Sequence, residues 1–310
     1  MTLPALLEKR LSLPVIGSPM FIISQPDLVI AQCRAGIVGS FPSLNARPSG
    51  VLEQWLQRLT EELTDQDAPF AVNLIVHKTN SRLEEDLALC ARYRVPIVIT
   101  SLGARPEVND AVHGYGGIVL HDVINDQFAR KAIDKGADGL IAVAAGAGGH
   151  AGTLSPFALV EEIRSWFDGP VVLSGAIATG RSIAAAQMMG ADLAYMGSAF
   201  IATSEANAEQ AYKQMIVESG AGDIVYSDYF TGVHGNYLRP SVRAAGLDPD
   251  RLPKAGGMDF SSVAAGDKKA WRDVWGAGQG IGAVRQVQSA AAFIRQLQDE
   301  YRTAVAAFNS

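Results

Sequence analysis

Cysteine is nearly absent from this chain of 310 residues, which has only Cys33 and Cys90. A secreted disulfide framework needs more, and a cysteine metal site needs tighter spacing, so both are expected as reduced residues in helices. Basic residues are also short, 26 Lys and Arg against 32 Asp and Glu, giving a net charge of −6 with no Lys/Arg run. That balance excludes a nucleic-acid surface. No uninterrupted apolar stretch reaches the roughly 20 residues that span a bilayer. Gly139–Val160 lacks Lys, Arg, Asp and Glu, but glycines, His150, Ser155 and Pro156 interrupt it. Met1–Arg10 carries charges inside its apolar run and does not read as a signal peptide, so the expected compartment is the cytoplasm. No His/Cys/Asp/Glu cluster has metal-ligand spacing, and no metal is expected.

What the chain does have is apolar substance, 48% hydrophobic against 19% charged residues, in a repeating order. A short Val/Ile-rich run, a loop with Gly, Ser, Pro or Asn, and an amphipathic stretch follow one another, the pattern of parallel βα units. The eight runs are Pro14–Met20, Gly36–Ser40, Phe70–Asn73, Pro96–Thr100, Gly117–His121, Gly139–Val143, Pro170–Ser174 and Leu193–Met196. Their unbroken apolarity suits strands buried on both faces. Helices are expected at Pro26–Ala35, Ser49–Glu62, Ser81–Arg92, Pro106–Val112, Asn125–Lys135, Ser155–Trp166 and Gly180–Met189. Two joints share nearly the same words, Lys135-Gly136-Ala137-Asp138-Gly139 and Met189-Gly190-Ala191-Asp192-Leu193. Eight runs with that self-similarity favour a closed (β/α)8 TIM barrel over an open doubly wound sheet. The barrel is expected over residues 1–203, a smaller cap over 204–284 and a closing helix over 285–310, with Ser204–Ser219 and Arg285–Phe308 helical.

In such a barrel the chemistry comes from the C-terminal ends of the strands. After runs seven and eight stand Ser174-Gly175-Ala176-Ile177 and Met196-Gly197-Ser198-Ala199, each leading into a helix. Small residues there admit an anion to backbone N–H groups, and barrels commonly hold a phosphate at these two loops. After run six comes Ala144-Ala145-Gly146-Ala147-Gly148-Gly149-His150-Ala151-Gly152, where four glycines surround one imidazole. Ordering so many glycines is costly, and their use is close approach of backbone to a flat group. His150 near its ordinary pKa would exchange a proton near neutrality.

These residues carry a family resemblance from Leu13 to about Thr203. With Pro19-Met20, Pro69-Phe70-Ala71-Val72-Asn73, Gly148-Gly149-His150-Ala151-Gly152, Ser174–Gly180 and Met196–Phe200, the chain resembles the nitronate monooxygenase (2-nitropropane dioxygenase) group of FMN-dependent barrels. That group is related to quinone reductases and flavin-type enoyl reductases. The resemblance implies FMN at the barrel mouth, with Gly175, Ala176, Gly197 and Ser198 at its phosphate and Ser174 and Met196 beside them. It puts Pro19, Met20 and Asn73 by the isoalloxazine, Gly148 and Gly149 along the cofactor, and His150 as catalytic base. Ala176 stands where members usually have a second glycine.

The implied reaction is oxidation of a nitronate or nitroalkane with O2 to a carbonyl compound and nitrite. An NAD(P)H-dependent quinone or enoyl-thioester reductase, and a flavin-binding protein without turnover, are the alternatives. The partners expected are a small-molecule substrate with O2 or NAD(P)H, and a second copy of the chain in a homodimer. Substrate contacts are sought at His121, at Lys78 in the loop after Asn73, and at His234 and Tyr237 within Tyr226–Pro240, a segment able to fold over the mouth. His121 and Asp122 are neighbours on a strand and so point to opposite faces. Trp55, Trp166, Trp271 and Trp275 are expected to pack helices.

Overall fold

A computed structural model describes residues 4–8, 10–48, 50–254 and 274–308. Ser49, Trp271 and residues 255–273 of the expected cap lie outside the described residues. The eight long strands are β1 (Val15–Gly17), β2 (Gly39–Pro42), β3 (Phe70–Ile75), β4 (Ile97–Ser101), β5 (Ile118–Val123), β6 (Gly139–Val143), β8 (Val171–Ser174) and β9 (Leu193–Met196). A two-residue strand, β7 (Gly149–His150), lies inside the loop after β6. The eight pair in parallel in the order β1-β9-β8-β6-β5-β4-β3-β2, and a bridge between Ile16 and Val38 joins the two ends into a barrel.

Each strand is buried on both sides, which is why its sequence does not alternate. Ile97, Ile99, Leu120, Ile141, Val172 and Leu193 fill the barrel interior. Their neighbours Val98 and Val119, and Leu140, Val171 and Leu173, meet the helix layer instead.

The repeated Gly-Ala-Asp joint turns out to be a device for setting strand register. Gly136 and Gly190 end their helices at φ +93° and +105°, a region that a side chain resists. Two residues on, the Asp138 carboxylate accepts from Val119 N (2.7 Å) and His113 Nε2 (2.8 Å). Asp192 repeats this with Val171 N (2.8 Å) and Arg164 Nη2 (2.5 Å). In both cases the aspartate's own N–H donates to the carbonyl of the same strand residue, Val119 or Val171. Arg164 also holds the carbonyls of Gly190, Phe167 and Gly169.

Beyond β9 the expected helix from Ser204 begins only at Gln210 and runs to Glu218, because 204–209 form a turn tied to the barrel by Asn207 Nδ2 donating to Ile22 O (3.0 Å). The strands β10 (Ile224–Ser227) and β11 (Gly235–Leu238) form an antiparallel hairpin, and β11 pairs with β7. The last helix spans Ala290–Phe308 and not the expected Arg285–Phe308, since Gln288 first bridges to Thr203. Its Phe293, Ile294 and Leu297 share one apolar cluster with Leu28, Ile37 and Ile183 of the barrel and with Ile216, Leu238 and Ile281 of segment 204–284. Cys33 and Cys90 are free and buried within helices, and burial pushes the Cys33 thiol up to about 12. No helix among the described residues is long and apolar enough to cross a membrane.

Removing one member of a buried, hydrogen-bonded ion pair leaves the other charge stranded. Asp192→Ala should therefore cost about 3 kcal/mol or more in urea unfolding, by leaving Arg164 stranded. Asp138→Ala, at a joint open to solvent, should cost about 1 kcal/mol.

Candidate active site

The C-terminal ends of the strands surround a cavity of about 860 Å³. That lies within the range of about 300–1,000 Å³ usual for small-molecule and cofactor sites. Pro19, Met20, Asn73, Gly148, Gly149, His150, Ser174, Gly175, Ala176, Gly197, Ser198, His121 and His234 all line it. Three other expected site residues do not. Met196 is wholly buried in the core. Lys78 sits exposed beyond the rim, and His77 lines the cavity in its place. Tyr237 is fully buried, its ring packed on Phe230 at 4.5 Å in a cluster under the hairpin.

His150 owes its place to pairing across the chain. β7 joins β11 with Gly235 opposite His150 and Asn236 opposite Gly149. Ala151 N donates to His234 O, Asn236 Nδ2 to Ala147 O (2.6 Å) and Tyr226 Oη to Ala151 O (2.9 Å). The imidazole Nε2 lies 3.2 Å from Thr231 Oγ1. Segment Tyr226–Pro240 thus grips the glycine loop, and His234, stacked on Tyr226 at 5.0 Å, forms part of the cavity wall. Burial lowers His150 to about 4, in place of the near-neutral value expected from the sequence. His121 is lowered to about 4 by burial and by Lys135. It faces away from Asp122, its Nδ1 lying 2.6 Å from Thr100 Oγ1.

The glycines of the loop after β6 meet glycines of the tail. A Cβ on Gly148 would stand 2.6 Å from Ser198 Oγ, and one on Gly278 would stand 2.5 Å from Gly146 O. Gly278 N donates to Ser198 Oγ (2.8 Å) and Gln279 N to Gly146 O (2.9 Å). A Cβ on Gly149 (φ +68°) would meet nothing within 4 Å. The glycine there leaves cavity space open. The sequence reading missed this insertion of Gly276–Gly280, and it missed Trp275, which stacks on Tyr212 at 4.8 Å and forms cavity wall as well as packing a helix. The signal was glycine at every second position, 276, 278, 280 and 282, which has no use in a plain linker.

At the two expected phosphate loops, the helix Gly180–Met188 has its N-terminus closed by the Thr179–Ser182 capping box and by Glu300 Oε2 accepting from Gly180 N (2.8 Å). The short helix Ser198–Ile201 begins at the cavity wall, with the first-turn N–H groups that no helix satisfies by itself. Ala176 lies at φ +53°, a conformation that costs an alanine about 1 kcal/mol. Among the described residues no group of three or more His, Cys, Asp or Glu is placed to hold a metal ion.

A barrel with a glycine-walled cavity and one imidazole at its roof is the frame of a barrel oxidoreductase, and the comparisons with known proteins make the kind definite. Residues 81–300 match the family model described as nitronate monooxygenase. The nitronate monooxygenase of Paraburkholderia phytofirmans is 27% identical over 282 residues, covering 76% of each chain. A hydroxy-methyl-oxo-octahydroindene-carboxyl-CoA dehydrogenase of Rhodococcus jostii is 26% identical over 74% of this chain and 63% of its own length. Among solved structures, a nitroalkane oxidase from Streptomyces ansochromogenes superposes with a TM-score of 0.81 at 25% identity, over 98% of this chain and 100% of that one. FabK from Thermotoga maritima shares the fold, with a TM-score of 0.80 at 24% identity over 98% and 96% of the two chains. The chain belongs to the nitronate monooxygenase family. It is an enzyme, a flavin-dependent oxidoreductase.

Lowered imidazole pKa values mean that the unfolded chain binds protons that the folded one refuses, so stability is present above pH 6.5 and is lost as pH falls through about 4. Imidazole NMR spectra should show His121 and His150 still neutral at pH 5, and one of these two signals gone in His150→Asn. Ala176→Gly should keep folding stability or raise it by up to about 1 kcal/mol in urea unfolding, whereas Ala176→Val should lower it.

Proposed function

We propose that the protein is an FMN-dependent enzyme that oxidises nitronates, or nitroalkanes after removal of their α-proton, with O2 as the co-substrate. The observation that carries this reading is His150, a neutral imidazole fixed by β-pairing at the roof of a cavity walled by glycine. The family match and the nitroalkane oxidase likeness point the same way. The cavity suits a flavin in size and in the backbone that it bares at Gly148, Gly149, Gly175 and Gly197. Gly175, Ala176, Gly197 and Ser198 would hold the phosphate of FMN, and Pro19, Met20 and Asn73 would border its ring. The cofactor supplies the capacity to accept electrons from a bound carbanion.

The chain's own contribution is to orient substrate and move a proton. The His150 imidazole is in the free-base form at neutral pH, with Nε2 donating to Thr231 Oγ1, so the other ring nitrogen is the one that takes an α-proton. The imidazolium so formed sits opposite a nitronate anion and stabilises it. Thr231 Oγ1 steers the ring from behind. The cavity lining is apolar where the exposed side chains of Ile124 and Phe128 stand. Two buried, unoxidised thiols fit a cytoplasmic working place.

His150→Asn should keep bound flavin yet lose at least a hundredfold in turnover of a neutral nitroalkane, in keeping with the loss of a general base. Unchanged turnover would remove His150 from the reaction. Anaerobic mixing separates electron donors: a nitronate should bleach the flavin, and bleaching by NADH or NADPH alone would make the protein a reductase instead.

A further inference from the structure

The polar floor of the cavity contains a chain of side chains that the roof chemistry does not use. Asn73 on β3, Ser101 on β4 and Asp122 on β5 all point into the barrel above its apolar layers, and all three line the cavity. Asn73 Nδ2 donates to Ile99 O (3.2 Å) and to Ser101 Oγ (2.7 Å). The Ile99 carbonyl can only accept, so it fixes which way the amide faces and commits the second amide hydrogen to Ser101. Ser101 Oγ lies 2.5 Å from Asp122 Oδ2. Among the described residues, the other carboxyl oxygen, Asp122 Oδ1, is shut away from solvent with no hydrogen-bond partner.

A serine hydroxyl has two lone pairs and one proton. Asn73 takes one lone pair. If Asp122 is a carboxylate, Ser101 must spend its only proton on Oδ2. If Asp122 is a carboxylic acid, the proton belongs on Oδ2, because only there does it find an acceptor. Ser101 then receives two hydrogen bonds and has its own proton free for the cavity. An unpartnered carboxylate oxygen inside an apolar barrel is costly, which favours the acid.

We propose that Asp122 is held as a neutral carboxylic acid beneath the cavity and that it frees the Ser101 hydroxyl to donate a hydrogen bond to an acceptor atom, a carbonyl oxygen or ring nitrogen, of the group bound on the floor. Ser101 is thereby a binding residue and Asp122 a positioning residue that acts through it. The inference rests on the flavin reading above, whose heteroaromatic ring offers such acceptors. Burial raises the Asp122 carboxyl from 3.8 to about 7, against the pull of the Ser101 hydrogen bond. Tyr195 is held neutral far above its ordinary value by burial and by Asp122, so it adds no charge. His150 at the roof and His121 on the same strand are neutral as well. Lys131, Glu209, His77 and His234 stand at the walls and mouth, and Lys135 stands behind His121. The donor is therefore present below about pH 7 and is withdrawn as pH rises through it.

The test is titration of FMN into flavin-free protein between pH 6 and 8.5, followed by quenching of flavin fluorescence, together with infrared spectra of the protein without flavin. Wild type should show a protonated-carboxyl band at pH 6 that fades above pH 8 and is absent in Asp122→Asn. Its Kd for FMN should rise roughly fivefold over the same range, the worth of one hydrogen bond. Asp122→Asn donates to Ser101 permanently and should bind at the wild-type low-pH strength throughout, which also cancels any titration of the phosphate itself. Ser101→Ala should bind roughly fivefold more weakly at pH 6 and show no more pH dependence than Asp122→Asn. A missing carboxyl band, or identical pH dependence in wild type and Asp122→Asn, would overturn the proposal while leaving the flavin reading intact. Failure of wild type to bind FMN at any pH, even with the band present, would overturn the flavin reading and this ligand together.

Discussion

Gly149 and His150 would be two residues of a floppy glycine loop if β11 did not take them into a sheet. That short antiparallel pairing sets everything at the roof of the cavity. It offsets part of the entropy cost of ordering the glycine loop, and it aims the imidazole inward with Thr231 behind it. It also explains why the chain needs a tail: β10, β11 and the glycines at 276–280 brace the loops that the barrel alone leaves free. The barrel provides a rigid ring of strand ends, and the tail turns those ends into an enclosed site.

The two ends of the cavity are chemically distinct. The roof offers one imidazole, kept uncharged by burial. The floor offers a hydrogen-bond chain through Asn73 and Ser101 to a buried acid. A flat cofactor between them would meet a base on one side and donors on the other, with opposite responses to pH. Charge near the site is scarce, so each proton there counts for more than it would in water.

The barrel was legible because parallel strands buried on both faces leave a signature that does not depend on distant partners. All eight runs became strands, and the repeated Gly-Ala-Asp joints marked real register locks at Asp138 and Asp192. The glycines and His150 were legible for a similar reason, since strand ends and local composition name them. What the sequence could not reveal were contacts between residues far apart in the chain. His150 meets Thr231 across 81 positions, and Gly180 meets Glu300 across 120. Tyr237, read as a mouth residue, is buried because its hairpin has a second face packed on Phe230 and Val242. The depressed pKa of His150 follows from the same long-range burial, which no local pattern records.

The account stands on a flavin lying in the cavity between these two ends. The most direct measurement is the visible absorption spectrum of the purified protein, with the released chromophore identified after heat denaturation. The account predicts the peaks of oxidised flavin and one FMN per chain. A colourless protein that remains colourless, without quenching, when FMN is titrated in would contradict it.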